Sequence, residues 1–398
     1  MTENAYLAFI IALVFVGAVG VPFSMWLAPR LGVLSFPGGR HIHEAAMPAM
    51  GGVAIVGGVV LAVVARIDVT NRYGAILLGT VAIMVVGLAD DRFDIAPALK
   101  LGGQVGASLL PIWAGVTIDH LTVPFLTSLD LGYAAIPITV VFIVACANIV
   151  NFSDGMDGLA GGLCAIAAAT FAVLSLSFLG GSSPRAIERA LERGPSAVIA
   201  AAVAGACIGF LIWNFHPAMT FMGDSGSLPL GFLLATTSIQ GVLKTSAALT
   251  VVFPFLILAV PILDTSFVIL KRLKYGRPIA SADANHLHHR LLRIGYSQRQ
   301  AALLLYAWCG VLSAFSLTVR FLPPNPKGSW DATNTAIDAA VALAALAASL
   351  FVVYQLEILK YRHVRMLGLA RRATAESSEP LVAARRRRRA EAKSRAVA

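Results

Sequence analysis

Charge is scarce in this chain. Only 13% of its 398 residues are Asp, Glu, Lys or Arg, whereas 58% are apolar and the mean hydropathy is +0.78. Ordinary soluble domains carry about 25% charged residues. So little charge cannot cover a soluble globule with polar surface. The composition therefore excludes a set of soluble domains and favours a single integral membrane unit.

Cysteine is also scarce, and no pair has the C-x-x-C spacing. The four cysteines lie in apolar runs, at Cys146, Cys164, Cys207 and Cys309. This arrangement excludes a disulfide framework and a zinc ribbon. We expect the cysteines to be small buried apolar side chains.

Acidic residues are the rarer of the two charged classes, 21 against 31 basic residues, which leaves a net charge of +10. The surplus is concentrated in residues 359–398 rather than spread over a binding face, so nucleic acid is not expected as a partner. We predict a basic, partly disordered tail over this segment. Its run Arg385–Arg389 would fix the topology and lie against anionic lipid headgroups.

Long apolar runs dominate the rest of the sequence. A spanning helix needs roughly 20 mostly apolar residues. Such stretches occur at about 5–28, 50–66, 74–89, 101–118, 133–150, 159–180, 196–213, 226–242, 246–270, 301–321 and 335–358. The pattern predicts an all-α integral membrane protein with about eleven transmembrane helices, in a polytopic catalytic domain 1–358 followed by the tail 359–398.

The basic residues also indicate an orientation. Connections after odd-numbered stretches, together with the tail, hold 23 of the 31 Lys and Arg residues. Because basic residues concentrate on the cytoplasmic side, we expect an external N-terminus and a cytoplasmic C-terminus in the cell inner membrane. The polar connections that also follow odd-numbered stretches are 29–49, 90–100, 148–158, 214–225 and 271–300. We therefore expect an active site built from cytoplasmic loops.

Paired carboxylates end the third apolar stretch, at Asp90 and Asp91, with Lys100 behind them. Adjacent carboxylates repel each other unless a cation or a proton neutralises them, and Mg²⁺ prefers oxygen ligands. The alternative is a solvated helix end whose charge is paired with Arg92.

Four polar residues recur every third position after the fifth stretch, at Asn148, Asn151, Asp154 and Asp157. On a helix they would fall along one drifting face. Amides and carboxylates at membrane depth are costly and usually mark a substrate or ion path. Polar contact between helices is the alternative, but it explains four such residues poorly.

Two further clusters follow. Asn214, Phe221 and Asp224 precede the eighth stretch, where Asp224 would either bind a metal or cap the helix. The second cluster contains histidines, but their spacing does not provide the ligand set of a zinc site, and they suit a phosphate better. Solvated loop histidines are the alternative. This second cluster consists of His286, His288, His289 and Arg290, and a weaker basic group lies at Arg40.

Carboxylates for Mg²⁺ together with basic groups for anions are typical of phosphoryl transfer, in which positioning and electrostatics dominate. The sequence has no G-x-x-x-x-G-K-[ST] motif, so nucleotide bound through a P-loop is not expected. An ion-coupled transporter is a hypothesis from another class. It predicts polar residues near the bilayer midplane and internal repeats, whereas these clusters lie at helix ends.

The motifs resemble those of the bacterial polyprenyl-phosphate N-acetylhexosamine-1-phosphate transferases of the glycosyltransferase 4 family, most closely the WecA type. The resemblance runs from about residue 36 to 293. It rests on P-x-x-G-G, D-D-R-F-D with Lys100, N-x-x-N-x-x-D-G-x-D-G-L, F-M-G-D-S-G-S and H-x-H-H-R-L. The related muramoyl-pentapeptide transferases have consecutive histidines where this chain has His286-Leu287-His288. The family's R-K-x-H element reads Arg40-His41-Ile42-His43 here, so its basic contact falls to Arg40.

The resemblance implies transfer of GlcNAc-1-phosphate from UDP-GlcNAc to a polyprenyl phosphate, with Mg²⁺, or alternatively Mn²⁺, as cofactor. It implies a lipid-linked first step in cell-wall polysaccharide synthesis; a related UDP-N-acetylhexosamine is the alternative donor. Membrane lipids are expected partners, and a homodimer is an open expectation. The implied catalytic residues are Asp90, Asp91, Asp154, Asp157 and His288, and the implied metal ligands are Asp91 and Asp224. The implied substrate-binding residues are Arg40, Lys100, Asn148, Asn151, Asn214, Phe221, His286, His289 and Arg290.

Deletion of residues 359–398 tests the role assigned to the tail. We expect weaker contact with anionic membrane surfaces and unchanged transferase activity, because all the motifs precede residue 294. The measurement is activity per folded protein in membranes with and without anionic lipid. Loss of activity in folded, truncated protein would contradict this prediction.

Overall fold

A computed structural model describes residues 1–35, 47–69, 71–122, 128–179, 184–243, 252–274, 287–325 and 329–355. The chain divides into two compact units, Met1–Ala348 and Ser349–Ala398. The basic tail predicted from the sequence lies outside the described residues, and the domain boundary at residue 358 stays a prediction.

Helices make up nearly all of the described chain. They are α1 Thr2–Phe15, α2 Val21–Leu31, α3 Gly51–Val64, α4 Asn71–Phe93, α5 Pro97–Trp113, α6 Ala135–Ser153, α7 Leu159–Ser177, α8 Pro184–Asn214, α9 Asp224–Ser238, α10 Val252–Ile257, α11 Ala259–Lys274, α12 Leu287–Arg293, α13 Gln298–Phe321 and α14 Ala332–Gln355. A π-helical segment, Val16–Gly20, joins α1 to α2, and another, Ile239–Leu243, extends α9. A short 3₁₀ turn, Gly132–Ala134, leads into α6.

Two short antiparallel strand pairs complete the described secondary structure. Strand β1 (Leu34–Ser35) pairs with β2 (Met47–Pro48), and β3 (His120–Thr122) pairs with β4 (Ser128–Asp130). In the first pair Leu34 is opposite Pro48, and in the second His120 is opposite Asp130. Neither pair forms a core; each closes a connection between helices.

The helical content and the apolar helices confirm an all-α membrane protein. Within the described ranges, eight helical stretches are long and apolar enough to cross a bilayer. They are Thr2–Leu31, Asn71–Phe93, Gly132–Ser153, Leu159–Ser177, Gly194–Asn214, Asp224–Leu243, Gln298–Phe321 and Ala332–Gln355.

The other three predicted spans are helical but shorter. Gly51–Val64 has 14 residues and Pro97–Trp113 has 17. At about 1.5 Å per residue, both fall short of a hydrocarbon core of about 30 Å. The stretch predicted at 246–270 divides into α10 and α11 on either side of Leu258. The count of eleven crossings and the orientation therefore stay predictions.

Helix α9 lies at the centre of the first unit. Of its apolar window, 94% is buried inside the protein, compared with 33% for the window in Thr2–Leu31. Its neighbours include α3, α4, α6, α7 and α8. The three largest fully buried side chains, Phe171, Phe210 and Phe232, lie on α7, α8 and α9.

Small residues let the neighbouring helices approach α9 at backbone distance. A Cβ atom on Gly52 of α3 would overlap the backbone of Gly226, and one on Gly87 of α4 would overlap the backbone of Asp224. On α9 itself, a Cβ atom on Gly231 would overlap the backbone of α6. Because membrane helices pack mainly through such close contacts, this pattern holds α3, α4 and α6 against the N-terminal half of α9.

Candidate active site

The acidic and amide residues predicted from the sequence meet at the N-terminus of α9. Asp90 and Asp91 lie in the last turn of α4, and Lys100 lies in the first turn of α5. Asn151 lies in the last turn of α6, and Asp224 is the first residue of α9. We expected loops to carry these residues, but the structure places them in terminal helical turns. The polar residues flank the apolar runs, but the helical backbone hydrogen bonding extends about one turn beyond each run and so includes them.

Lys100 joins two of the carboxylates. Its ammonium nitrogen Nζ donates to Oδ2 of Asp90 at 2.8 Å and also to Oδ2 of Asp224. All three side chains are about one-fifth exposed (19%, 18% and 23%). Burial alone would lower the pKa of Lys100, but the carboxylates of Asp224 and Asp90 hold it above its ordinary value. Lys100 therefore stays charged and offsets the repulsion between the two acids.

Asn151 orients the other oxygen of Asp224. Its Nδ2 donates to Oδ1 of Asp224 at 2.7 Å and to Oγ of Ser227 at 2.9 Å. Ser227 is not among the residues predicted to bind substrate. It lies three positions after Asp224 and so shares its helix face, which is the signal that could have identified it.

Asn148 takes part in a different contact from the one predicted. Its Nδ2 donates to Oε1 of Gln104 at 2.5 Å and to the carbonyl oxygen of Val144 at 2.8 Å. Gln104, which the sequence reasoning missed, is only 1% exposed and lies four residues after Lys100 on α5. The amide pair joins α6 to α5, and a role of Asn148 in substrate binding stays a prediction.

Whereas Asp90 bonds to Lys100, Asp91 bonds to the backbone at the start of α9. Its two carboxylate oxygens accept the backbone N–H groups of Asp224 at 2.8 Å and Ser225 at 3.0 Å. These are the first N–H groups of α9, which have no acceptor within the helix. Asp91 of α4 therefore caps α9 from across the structure.

The connection after α6 is tied to the connection before α9. In the first, Asp157 is 4% exposed; its Oδ2 lies 2.7 Å from Nδ1 of His216 and accepts the N–H of Ala218 at 3.1 Å. Oδ1 of Asn214 accepts the N–H of Gly158 at 3.0 Å, and its Nδ2 donates to the carbonyl oxygen of Thr220 at 2.8 Å. Both predicted site residues thus hold the shape of the loops.

Asp154 stands between these loops and the acidic cluster. Part of its surface is accessible, but protein surrounds most of the residue. Burial raises the pKa of its carboxyl, and the nearby carboxylates of Asp224, Asp91 and Asp157 add to the rise, so that the pKa is about 8. Burial is the larger cause, but the three neighbouring carboxylates also add negative charge around Asp154, which a cation would relieve.

The histidine cluster reaches the same loop. His288 is 1% exposed, and a Cβ atom on Gly155 would lie 2.6 Å from its Nε2. The rings of His288 and His289 have centroids 4.3 Å apart. The carboxylate Oδ1 of Asp264 accepts the N–H of Leu287 at 2.7 Å. This contact positions the start of α12.

Four predicted residues remain, of which the structure describes two. Arg290 is half-buried on α12, next to His289. Phe221 packs against an apolar cluster that includes Ala49 and Met50, so part of its ring is already covered by protein. The predicted residues Arg40 and His286 lie outside the described residues.

The P-x-x-G-G element, Pro48 to Gly52, contributes to the site through backbone hydrogen bonds to the segment that precedes α9. The N–H of Phe221 donates to the carbonyl oxygen of Pro48 at 2.9 Å, and the N–H of Gly51 donates back to Phe221 at 2.9 Å. The N–H of Gly52 donates to Met222 at 3.0 Å. These bonds place the chain for the turn at Gly223, just before α9.

The residues around α9 suit a hard divalent cation in part. Among the residues that the structure describes, no group of three or more His, Cys, Asp or Glu has a metal-binding arrangement. Asp90 and Asp224 nevertheless converge on one positive charge, the Lys100 ammonium. Mg²⁺ commonly uses only one or two carboxylates and completes its shell with water and substrate phosphates. The donor set therefore fits Mg²⁺ held jointly with a phosphate substrate.

Comparison with known proteins agrees with this chemistry. The profile of glycosyl transferase family 4 matches residues 73–242, which include the acidic cluster. A probable undecaprenyl-phosphate N-acetylglucosaminyl 1-phosphate transferase of Bacillus subtilis is 39% identical over 79% of this chain and 84% of its own length.

Two other relatives extend the comparison. A decaprenyl-phosphate N-acetylglucosaminephosphotransferase of Mycolicibacterium smegmatis is 36% identical over 75% of this chain and 78% of its own length. A phospho-N-acetylmuramoyl-pentapeptide-transferase of Heliobacterium modesticaldum is 34% identical over 79% of this chain and 98% of its own length. All three names describe transfer of a phosphorylated sugar.

The turn before α9 gives a first structural test. Gly223 has φ 65° and ψ −175°, a conformation essentially restricted to glycine. A Cβ atom there would lie 2.5 Å from Oδ2 of Asp91 and 2.9 Å from the carbonyl oxygen of Ala49. We expect Gly223→Ala to lower the free energy of unfolding by about 1–3 kcal/mol. The measurement is thermal unfolding of the solubilised protein.

Gly102→Ala is the matched control for this substitution. Gly102 lies on α5, and a Cβ atom there would have no heavy atom within 4 Å. Alanine also has the higher helix propensity, so the control should be neutral or slightly stabilised. Equal unfolding midpoints for the two variants would contradict the assignment of strain to Gly223.

Proposed function

The chain belongs to glycosyl transferase family 4, and we propose that it transfers N-acetylglucosamine-1-phosphate from UDP-GlcNAc to a polyprenyl phosphate. The products are polyprenyl-diphosphate-GlcNAc and UMP. The names of the relatives support the transfer and the lipid acceptor. The observation that carries the proposal is the cluster of Asp90, Lys100 and Asp224 at the ends of apolar helices. Its position at the ends of these helices, where the headgroup of a membrane lipid lies, supports phosphate chemistry at this cluster.

Other assignments are weaker. The muramoyl-pentapeptide relative leaves another UDP-N-acetylhexosamine as an alternative donor. An ion-coupled transporter would need polar residues near the bilayer midplane, whereas the clustered acids lie in terminal turns. The relatives are named for both undecaprenyl and decaprenyl acceptors, so the proposal covers both chain lengths.

Direct attack is the proposed chemistry. A phosphate monoester has a second pKa of about 6, so the acceptor is mostly dianionic at neutral pH and needs little help from a base. An acceptor oxygen forms a bond to the β-phosphorus of UDP-GlcNAc. The bond from that phosphorus to the bridging oxygen breaks, and UMP leaves with the electron pair. No proton has to move, so the role of the protein is to position the phosphates and balance their charge.

The charged side chains divide this role. Lys100 offers positive charge to the phosphates from its position between Asp90 and Asp224. Mg²⁺ held by Asp224 and Asp90 would supply the further positive charge that offsets repulsion between the two anionic substrates. His289 and Arg290 of α12 would contact the diphosphate or the sugar, because His288 anchors that helix beside Gly155.

A covalent intermediate on a carboxylate is the competing mechanism. Direct attack inverts the configuration at the β-phosphorus, whereas two successive displacements retain it. The stereochemical outcome with a chiral phosphorus centre therefore distinguishes the two.

UMP release tests the proposed function. Purified protein with UDP-GlcNAc, polyprenyl phosphate and Mg²⁺ should release UMP, and a chelator should stop the release. We expect Asp224→Asn to lower kcat about a hundredfold or more, because it removes charge where the phosphates and cation meet. Asp130→Asn is the control, since that side chain is 76% exposed on β4. Absence of UMP from wild-type protein would refute the function.

The proposal includes an orientation, with the active face in the cytoplasm at the plasma membrane and the N-terminus outside. Asp94 follows the third predicted span and Asp130 follows the fourth, so the two exposed residues would lie on opposite sides. The four native cysteines are buried and should not react. Impermeant maleimide should label Asp130→Cys in intact cells and Asp94→Cys in inverted vesicles. Labelling of Asp94→Cys in intact cells would contradict the orientation.

A further inference from the structure

The two adjacent carboxylates of α4 serve different partners. Consecutive residues of an α-helix point about 100° apart, and Asp90 and Asp91 both lie within the helix. Asp90 faces Lys100 of α5, whereas Asp91 faces the backbone of α9. A motif that reads in sequence as one metal-binding pair is therefore divided between two contacts.

Asp91 supplies the N-cap acceptor that α9 does not have in its own sequence. The N-cap residue of α9 is Gly223, which has no side chain to accept the first N–H groups. Asp91 supplies both acceptors, to Asp224 and Ser225. A carboxylate is also favourable at the positive end of the helix dipole.

Close packing of α4 against the start of α9 allows only one position for the Asp91 carboxylate. Gly87 lies one turn before Asp91 on the same face of α4, and a Cβ atom there would overlap the backbone of Asp224. A Cβ atom on Gly223 would in turn lie 2.5 Å from Oδ2 of Asp91. The carboxylate is thus enclosed by the backbone whose position it sets.

Asp91 does not share the positively charged partner of the other two carboxylates, the ammonium group of Lys100. The Lys100 ammonium donates hydrogen bonds to Asp90 and Asp224. Within the described residues it donates none to Asp91. Both oxygens of Asp91 are instead directed at N–H groups.

We infer that Asp91 is a positioning residue: it holds the N-terminus of α9 so that the Asp224 carboxylate meets Lys100, Asn151 and the phosphates, and it does not ligate the metal. This differs from the role expected from the sequence, which made Asp91 a metal ligand. The inference rests on the proposed function. UMP release by wild-type protein is therefore established first, so that failure of the function is seen before the role of Asp91 is tested.

The test compares Asp91→Asn with Asp91→Ala. Asparagine is a good N-cap residue and alanine is a poor one. A positioning role predicts that Asp91→Asn lowers kcat by about tenfold or less and that Asp91→Ala lowers it further. A ligand role predicts similar, severe losses for both, because neither residue provides a carboxylate. If Asp91→Ala does not fold, the Mn²⁺ binding of Asp91→Asn, described next, still tests the inference.

Mn²⁺ binding gives a readout independent of turnover. The free Mn²⁺ signal in electron paramagnetic resonance yields a dissociation constant for each variant, with UDP-GlcNAc present. We expect the constant of Asp91→Asn to stay within about twofold of wild type, and that of Asp224→Asn to rise about tenfold or more. A comparable rise for Asp91→Asn would overturn the inference.

A double-mutant cycle and a matched control complete the test. If Asp91 acts only through Asp224, Asp91→Asn should cost little further activity in an Asp224→Asn background. Multiplicative losses would overturn the inference. Asp331→Asn is the control, because Asp331 also caps a helix: it directly precedes α14, and its Oδ1 accepts the N–H groups of Thr333 at 2.9 Å and Asn334 at 3.0 Å. It should leave kcat and Mn²⁺ binding unchanged.

Discussion

The buried N-terminus of α9 is the constraint on which the site depends. The first N–H groups of a helix need acceptors from elsewhere, and an unsatisfied backbone group inside a membrane protein costs several kcal/mol. The helix is buried from Ser225 onward, while the Asp224 side chain at its start remains 23% exposed. Because Gly223 offers no side chain, the acceptor is Asp91 of α4. The bond fixes α4 against α9, and with it the neighbouring Asp90 against Lys100.

The same close approach creates an electrostatic problem. Packing α4 and α6 directly onto α9 brings the carboxylates of Asp90, Asp91, Asp154 and Asp224 into one region. The protein offsets part of the repulsion with the ammonium of Lys100. The remaining carboxylates, including Asp91 and Asp224, add to the rise in the pKa of Asp154 that burial causes. A site that binds anionic substrates while carrying this excess has a physical reason to require a divalent cation.

The sequence predicts the chemistry of this region better than its geometry. Apolar length predicts the eight helical stretches that are long enough to cross a bilayer, and motif spacing predicts three of the residues that meet at the start of α9, Asp90, Asp224 and Asn151. It misses Gln104, because a lone buried amide in an apolar helix carries no pattern until Asn148 is seen beside it. It also reads Asp91 together with its neighbour, although contacts between residues 133 apart in sequence decide where each carboxylate points.

Placement of the acids in helical turns rather than in free loops also follows from the proposed reaction. A polyprenyl phosphate keeps its apolar chain in the bilayer, so its phosphate reaches only the depth at which the apolar helices end. UDP-GlcNAc arrives from the aqueous side and must meet that phosphate within bonding distance. A carboxylate on a long loop would have to be ordered at that depth at an entropic cost. The last turn of α4 and the first turns of α5 and α9 hold Asp90, Lys100 and Asp224 there already, on elements that the packing of the membrane domain keeps rigid.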